Sequence, residues 1–142
     1  MSDPSPPPPT SLKILLAEDN VVNQRVTQLI LAKLGHELDI VSDGAAAVEA
    51  VQQRTYSVVL MDVEMPRLDG LEATRRIRAY FADRDRPYIV AMTASAQRAD
   101  CMAAGMDDFL LKPVRTADLA GMVERALAAA ATWRHQQQFQ ME

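Results

Sequence analysis

A single cysteine, Cys101, among 142 residues excludes an internal disulfide, and its place in a helical pattern marks a buried or half-buried thiol of a reducing compartment. The two histidines, His36 and His135, stand apart with no Cys or His at metal spacing, so a zinc site is excluded and both are expected at the surface. No apolar run approaches the length of a membrane span, and the first residues lack the charged-then-apolar pattern of a secretion signal. Positive charge is also short. The formal net charge of −4 argues against non-specific nucleic-acid binding, and no direct contact with nucleic acid or membrane is expected. No G-x-x-x-x-G-K-[ST] occurs, which excludes a P-loop enzyme. The turn after the first apolar run, "AEDNVVN", is acidic where a nucleotide or flavin binder needs a Gly/Ser/Thr-rich phosphate loop.

What remains is an ordinary globular composition, 49% apolar and 24% charged, in a chain long enough for one domain with a real core. "MSDPSPPPPT" has nothing to pack, and residues 1–11 are expected to be a disordered, polyproline-like linker. From Leu12 the pattern is regular. "LKILLA" (Leu12–Ala17), "HELDIV" (His36–Val41), "YSVVLM" (Tyr56–Met61), "PYIVAMT" (Pro87–Thr93) and "DDFLL" (Asp107–Leu111) read as strands. The second alternates like a strand nearer an edge. The third is apolar throughout, as in a strand covered on both faces. Between them lie helical patterns. The first, "VVNQRVTQLILAKLG", spaces Val22, Val26, Leu29, Ile30 and Leu34 along a helix that Gly35 stops. "SDGAAAVEAVQQR" and "AQRADCMAAG" are further helices, and "LEATRRIRAYF" is one with its basic residues outward. The last, "TADLAGMVERALAAAATWRHQQQ", carries the stripe Leu119, Val123, Leu127 and Ala130, with Trp133 on the same line. Strands alternating with helices through short loops imply an α/β fold, a five-stranded parallel sheet with helices on both faces, for which the flavodoxin-like (βα)5 order 2-1-3-4-5, with strands one and three as neighbours, is expected. The folded domain is expected over 12–131, with 132–142 either extending the final helix or fraying.

In such sheets chemistry sits outside the carboxyl ends of the strands. The first strand there presents Glu18-Asp19, the third Asp62, the fourth Thr93, and the fifth is followed by Lys112-Pro113. Asp19 could equally cap the helix after it. Gathered in one basin, however, three carboxylates repel one another, and Lys112 offsets one charge only. A hard divalent cation with oxygen ligands is the remedy, and magnesium suits a partly hydrated site of few carboxylates. Asp62 is the best placed nucleophile toward phosphorus. The cation, Lys112 and the Thr93 hydroxyl would each take one phosphoryl oxygen, and no general base is needed. A phosphohydrolase could use Asp62 in the same way, but the short loops provide no cap over a small-molecule substrate.

The pieces "LLAEDN", "VVLMDVEMPRLDG", "IVAMTA" and "FLLKPV", in this order, resemble the receiver domain of two-component response regulators, over about Leu12 to Ala131. "EDNVVNQRV" and "DDFLLKPV" most resemble receivers of hybrid sensor histidine kinases. The resemblance implies that Asp62 accepts phosphate from a phosphohistidine, with magnesium (or manganese) bound by Glu18, Asp19, Asp62 and the Glu64 backbone carbonyl. It implies that Thr93 moves toward the phosphoryl group, that Phe109 is the switch aromatic behind it, and that Lys112 contacts the phosphate. It also implies a cis Lys112–Pro113 bond. The Glu64 side chain is expected near the path of an attacking water. One of Val21 and Val22 should face inward and the other help dock a histidine-containing helix. The implied partners are a histidine kinase and a histidine phosphotransfer protein, with a weak homodimer as a further expectation. The implied location is cytoplasmic, either as a stand-alone regulator or as the cytoplasmic part of a membrane-bound hybrid kinase that contributes the kinase activity. The rival reading is a degenerate receiver that only binds protein.

Overall fold

The computed structural model describes residues 11–65, 68–82, 86–95 and 98–140, with side chains up to Ala130. The proline-rich lead, Pro66 and the side chains of Trp133 and His135 lie outside the described residues. Five strands alternate with five helices: β1 Lys13–Ala17, α1 Val21–Lys33, β2 Glu37–Val41, α2 Gly44–Gln53, β3 Val58–Asp62, α3 Gly70–Phe81, β4 Tyr88–Thr93, α4 Arg98–Ala104, β5 Asp108–Leu111 and α5 Thr116–Gln140. All pairings are parallel, in the order β2-β1-β3-β4-β5. β3 is central and wholly buried, and β2 is an edge. Among the described residues no helix is long and apolar enough to cross a membrane.

Period-two alternation sends each central strand into two cores. Ile14, Leu16, Val58, Leu60, Val90 and Met92 meet Leu31 of α1 and Leu119, Met122 and Ala126 of α5. Leu15, Ala17, Val59, Met61, Ile89 and Ala91 meet Ala47 and Val51 of α2, Ala73 and Ile77 of α3, and Cys101 of α4. Cys101 is fully buried, and burial of the thiol raises its pKa. Asx caps start three helices: the Asn23, Ala46 and Glu72 N–H groups donate to Oδ1 of Asn20, Asp43 and Asp69 at 3.0, 2.7 and 2.8 Å.

Three expectations need correction. The first concerns α1, which buries Thr27 and Leu31, flanked by partly buried Ile30 and Leu34. Val22, Val26 and Leu29 are exposed, and so is Val21, so neither of the leading valines faces inward. The helix carries apolar residues on two sides: of those at helical spacing, Ile30 and Leu34 pack on the core while Val22, Val26 and Leu29 face water. Secondly, the basic residues of α3 are not all outward. Arg75 and Arg76 are exposed, but Arg78 is folded in: its Nε and Nη1 donate to the Gly105 and Pro87 carbonyls, both at 2.7 Å, and its Nη2 donates to Asp107. Gly105, at φ 106°, ends α4 in the left-handed region and leaves room for the Arg78 stem.

The third correction is His36, which is 8% exposed rather than a surface residue. Its Nδ1 accepts the Leu12 N–H at 2.9 Å and so anchors the start of β1. That bond requires a neutral ring, and burial lowers the pKa below the usual 6.5. The folded protein therefore binds fewer protons than the unfolded chain just below pH 6.5, and this contribution to stability is lost as the pH falls through that value. In His36→Asn the amide oxygen replaces Nδ1 as acceptor without titrating. Urea midpoints at pH 7.5 and 5.5 should show a smaller acid-side loss in the variant than in the native protein.

Candidate functional site

β1 and β3 are neighbours, with Ala17 paired to Met61, so Glu18 and Asp62 leave the sheet side by side. Glu18 is anchored by its N–H, which donates to the Val41 carbonyl at 3.0 Å, and by its own carbonyl, which accepts from Gln24 Nε2 at 2.6 Å. Both acids are buried, Glu18 at 2% and Asp62 at 1% exposure, while Asp19 is open to solvent. One carboxylate oxygen from each of Glu18, Asp19 and Asp62 lies within 4.8 Å of the others. Asn20, not Asp19, is the N-cap of α1, which removes the capping explanation for Asp19.

Gly70 permits this arrangement. It opens α3 against the back of the acidic turn, and a Cβ there would stand 2.3 Å from the Asp62 carbonyl oxygen.

From the far side Lys112 reaches in, with Nζ 2.8 Å from Asp62 Oδ2 and 3.6 Å from Glu18 Oε1. It follows β5 directly, and the Lys112–Pro113 bond is cis. Burial opposes the ammonium charge, but the hydrogen bond and charge of Asp62 outweigh it, and the Lys112 pKa is raised. The second Asp62 oxygen, Oδ1, accepts the Glu64 N–H at 3.0 Å. Thr93, fully buried at the end of β4, donates its hydroxyl to Glu64 Oε1 at 2.6 Å and accepts the Ser95 N–H at 3.2 Å. The Glu64 side chain is thus engaged with Thr93. Phe109, on β5, is partly buried against the α2–α4 core.

The electrostatics are unbalanced. Two carboxylates about 4–5 Å apart repel by about 3–4 kcal/mol at an effective dielectric of about 20, and one lysine cannot offset three of them. Glu18 carries the strain. Burial, then the adjoining Asp62, push its pKa up to about 7. Its Oε2 is buried without a hydrogen-bond partner. An orphaned oxygen among three converging oxygen donors fits a hard divalent cation, with Glu18, Asp19 and Asp62 as the side chains that would hold it. Magnesium should therefore raise the thermal midpoint by several degrees, since about 2.7 kcal/mol accrues at a hundredfold excess over Kd. Glu18→Gln should remove that rise and, by relieving the repulsion, stabilise the metal-free fold by about 1 kcal/mol. Differential scanning calorimetry with and without magnesium reads both.

A doubly wound parallel sheet with a buried acid on its central strand, beside two further acids and a lysine, defines a class of domain built around an acidic pocket at the carboxyl edge. Residues 14–124 match the Response regulator receiver domain family, and the chain belongs to it. It is 42% identical over 116 residues to the sensor protein GacS of Pseudomonas syringae pv. syringae, covering 78% of this chain and 13% of that protein. The chain therefore spans only a small part of that curated relative. The receiver domain of the sensor histidine kinase PA1611 from Pseudomonas aeruginosa PAO1, solved with a magnesium ion coordinated in its active site cleft, is 40% identical. It superposes with a TM-score of 0.75, covering 83% of this chain and 98% of that one. A chain from the Saccharomyces cerevisiae complex of the histidine phosphotransfer protein Ypd1 with the receiver domain of Ssk1 is 27% identical. Its TM-score is 0.76, with 80% of this chain and 87% of that one covered.

Proposed function

We propose that this chain is a phosphorelay receiver whose Asp62 takes a phosphoryl group from a phosphohistidine and thereby changes the surface offered to a partner. The observation that carries this reading is the buried Asp62 carboxylate held between Lys112 at 2.8 Å and the Glu64 N–H at 3.0 Å, beside two more acids. The transfer forms an Asp62 oxygen–phosphorus bond and breaks the phosphorus–nitrogen bond of the donor, whose ring, already protonated on its other nitrogen, keeps that proton and the bonding pair and leaves as neutral imidazole. A carboxylate attacks phosphorus directly, so the transfer does not call for a general base to activate Asp62. A bound magnesium ion, or manganese in its place, would neutralise charge on the transferring group. Glu18, Asp19 and Asp62, whose carboxylate oxygens converge, would hold it together with the Glu64 carbonyl. Lys112 then stabilises the phosphoryl oxygens, and Thr93 and Phe109 carry the change outward.

The donor is a histidine phosphotransfer protein or a histidine kinase. Its helix docks on the exposed stripe of α1, Val22, Val26 and Leu29 with Val21, which begins immediately after the acidic turn. Val26→Asp tests the docking and the chemistry separately. Phosphotransfer from a phosphorylated histidine phosphotransfer protein should slow about tenfold or more, a charge in an apolar contact being worth 1–3 kcal/mol. Labelling by acetyl phosphate should not change. An equal fall with both donors would place the effect in the pocket and remove α1 as the docking face.

A further inference from the structure

The Thr93 hydroxyl has one hydrogen to give, and in this structure Glu64 receives it, Oγ1 lying 2.6 Å from Oε1. Thr93 Oγ1 also accepts the Ser95 N–H at 3.2 Å, and the Thr93 carbonyl accepts the Lys112 N–H at 2.8 Å. So β4 is tied at its end to the loop after β3 on one side and to the lysine on the other. A hydroxyl committed to Glu64 cannot also donate to a phosphoryl oxygen on Asp62. We infer that Glu64 is a positioning residue that latches the Thr93 hydroxyl away from the acceptor, so that phosphorylation engages Thr93 only by exchanging the Glu64 carboxylate for a phosphoryl oxygen. This rests on Asp62 being the acceptor.

Because one anionic acceptor replaces another, only the difference between them is available to shift the switch. Glu64 therefore sets how completely a phosphoryl group moves Thr93. The same residue reports on the acceptor, since its N–H donates to Asp62 Oδ1 at 3.0 Å, two residues away along the chain. A competing explanation is available for any effect of Glu64: its negative charge repels an anionic group without touching Thr93. The two differ in one respect. Only the latch needs the Thr93 hydroxyl.

Beryllofluoride with magnesium, a stable mimic of an aspartyl phosphoryl group, is the probe, and its Kd is measured on the full chain. Glu64→Ala should tighten binding about tenfold, the worth of a hydrogen bond to a charged group. Glu64→Gln keeps an uncharged acceptor and should gain less than Glu64→Ala. In a Thr93→Ala background the gain from Glu64→Ala should shrink to about twofold, the residue of surface charge. In the unphosphorylated Glu64→Ala protein, the Thr93 methyl resonance should move toward its beryllofluoride-bound position. Equal gains in both backgrounds, or equal gains for alanine and glutamine, would overturn the latch in favour of simple repulsion. An unmoved Thr93 resonance would overturn it even if the double variant failed to fold. Native protein that does not bind beryllofluoride at all would instead overturn Asp62 as acceptor, a failure distinct from these.

Discussion

Asp62→Asn should abolish phosphoryl uptake, leaving no labelled protein above background after incubation with a phosphodonor and magnesium. The amide is close in shape to the carboxylate but is a far poorer nucleophile, and no other carboxylate in the basin takes the place of Asp62 between its two donors. Glu18 is 3.6 Å from Lys112, and Asp19 is exposed. The fold should tolerate the change. Asparagine still offers an oxygen to the Glu64 N–H, Lys112 retains Glu18, and one of three mutually repelling charges is gone. Urea unfolding within about 1 kcal/mol of the native protein, alongside lost labelling, would separate chemistry from stability.

Arg78→Met has the largest expected effect on the fold, a loss of about 3–5 kcal/mol from a total that is typically about 5–15 kcal/mol. The Arg78 side chain is 13% exposed and spans three elements. It bonds the carbonyl that ends α4, the carbonyl before β4 and the Asp107 carboxylate before β5. Removing it strands the Gly105 and Pro87 carbonyls and leaves Asp107 with the Ile89 N–H at 2.9 Å and the more exposed Arg86 at 3.3 Å. Arg78→Lys should not rescue it, because an ammonium on a flexible stem cannot reproduce the fork that serves three acceptors in different directions. Denaturant midpoints of the two variants measure this, and lysine restoring most of the stability would show that charge alone was needed.

The strands and the carboxyl-edge residues were legible because parallel strands in a doubly wound sheet are apolar end to end and stop where polarity begins. "VVLMD" is such a case, and its last residue is the acid on which the site is built. Contacts set by tertiary neighbours were less legible. Arg78 looks no different from Arg75 and Arg76 in composition. Its signal was position, bordering the buried line Gly70, Ala73, Thr74 and Ile77. His36 is valuable as an acceptor for a backbone N–H twenty-four positions away, which no local pattern encodes. On α1 the buried face includes a threonine beside Leu31 while valines and a leucine face water, so hydrophobicity alone did not separate the two sides. Glu64 was singled out for its closeness to Asp62, but its bond to Thr93 joins the loop after β3 to the end of β4, which only the assembled sheet brings together.

The central claim is that Asp62 becomes a metal-dependent phosphoryl anchor. The most direct measurement is incubation of the native chain with phosphoramidate, with and without magnesium, followed by borohydride reduction and mass spectrometry of the peptides. The expected result is reduction confined to position 62, and only when magnesium is present. Modification at another residue, or equal uptake without the metal, would contradict it.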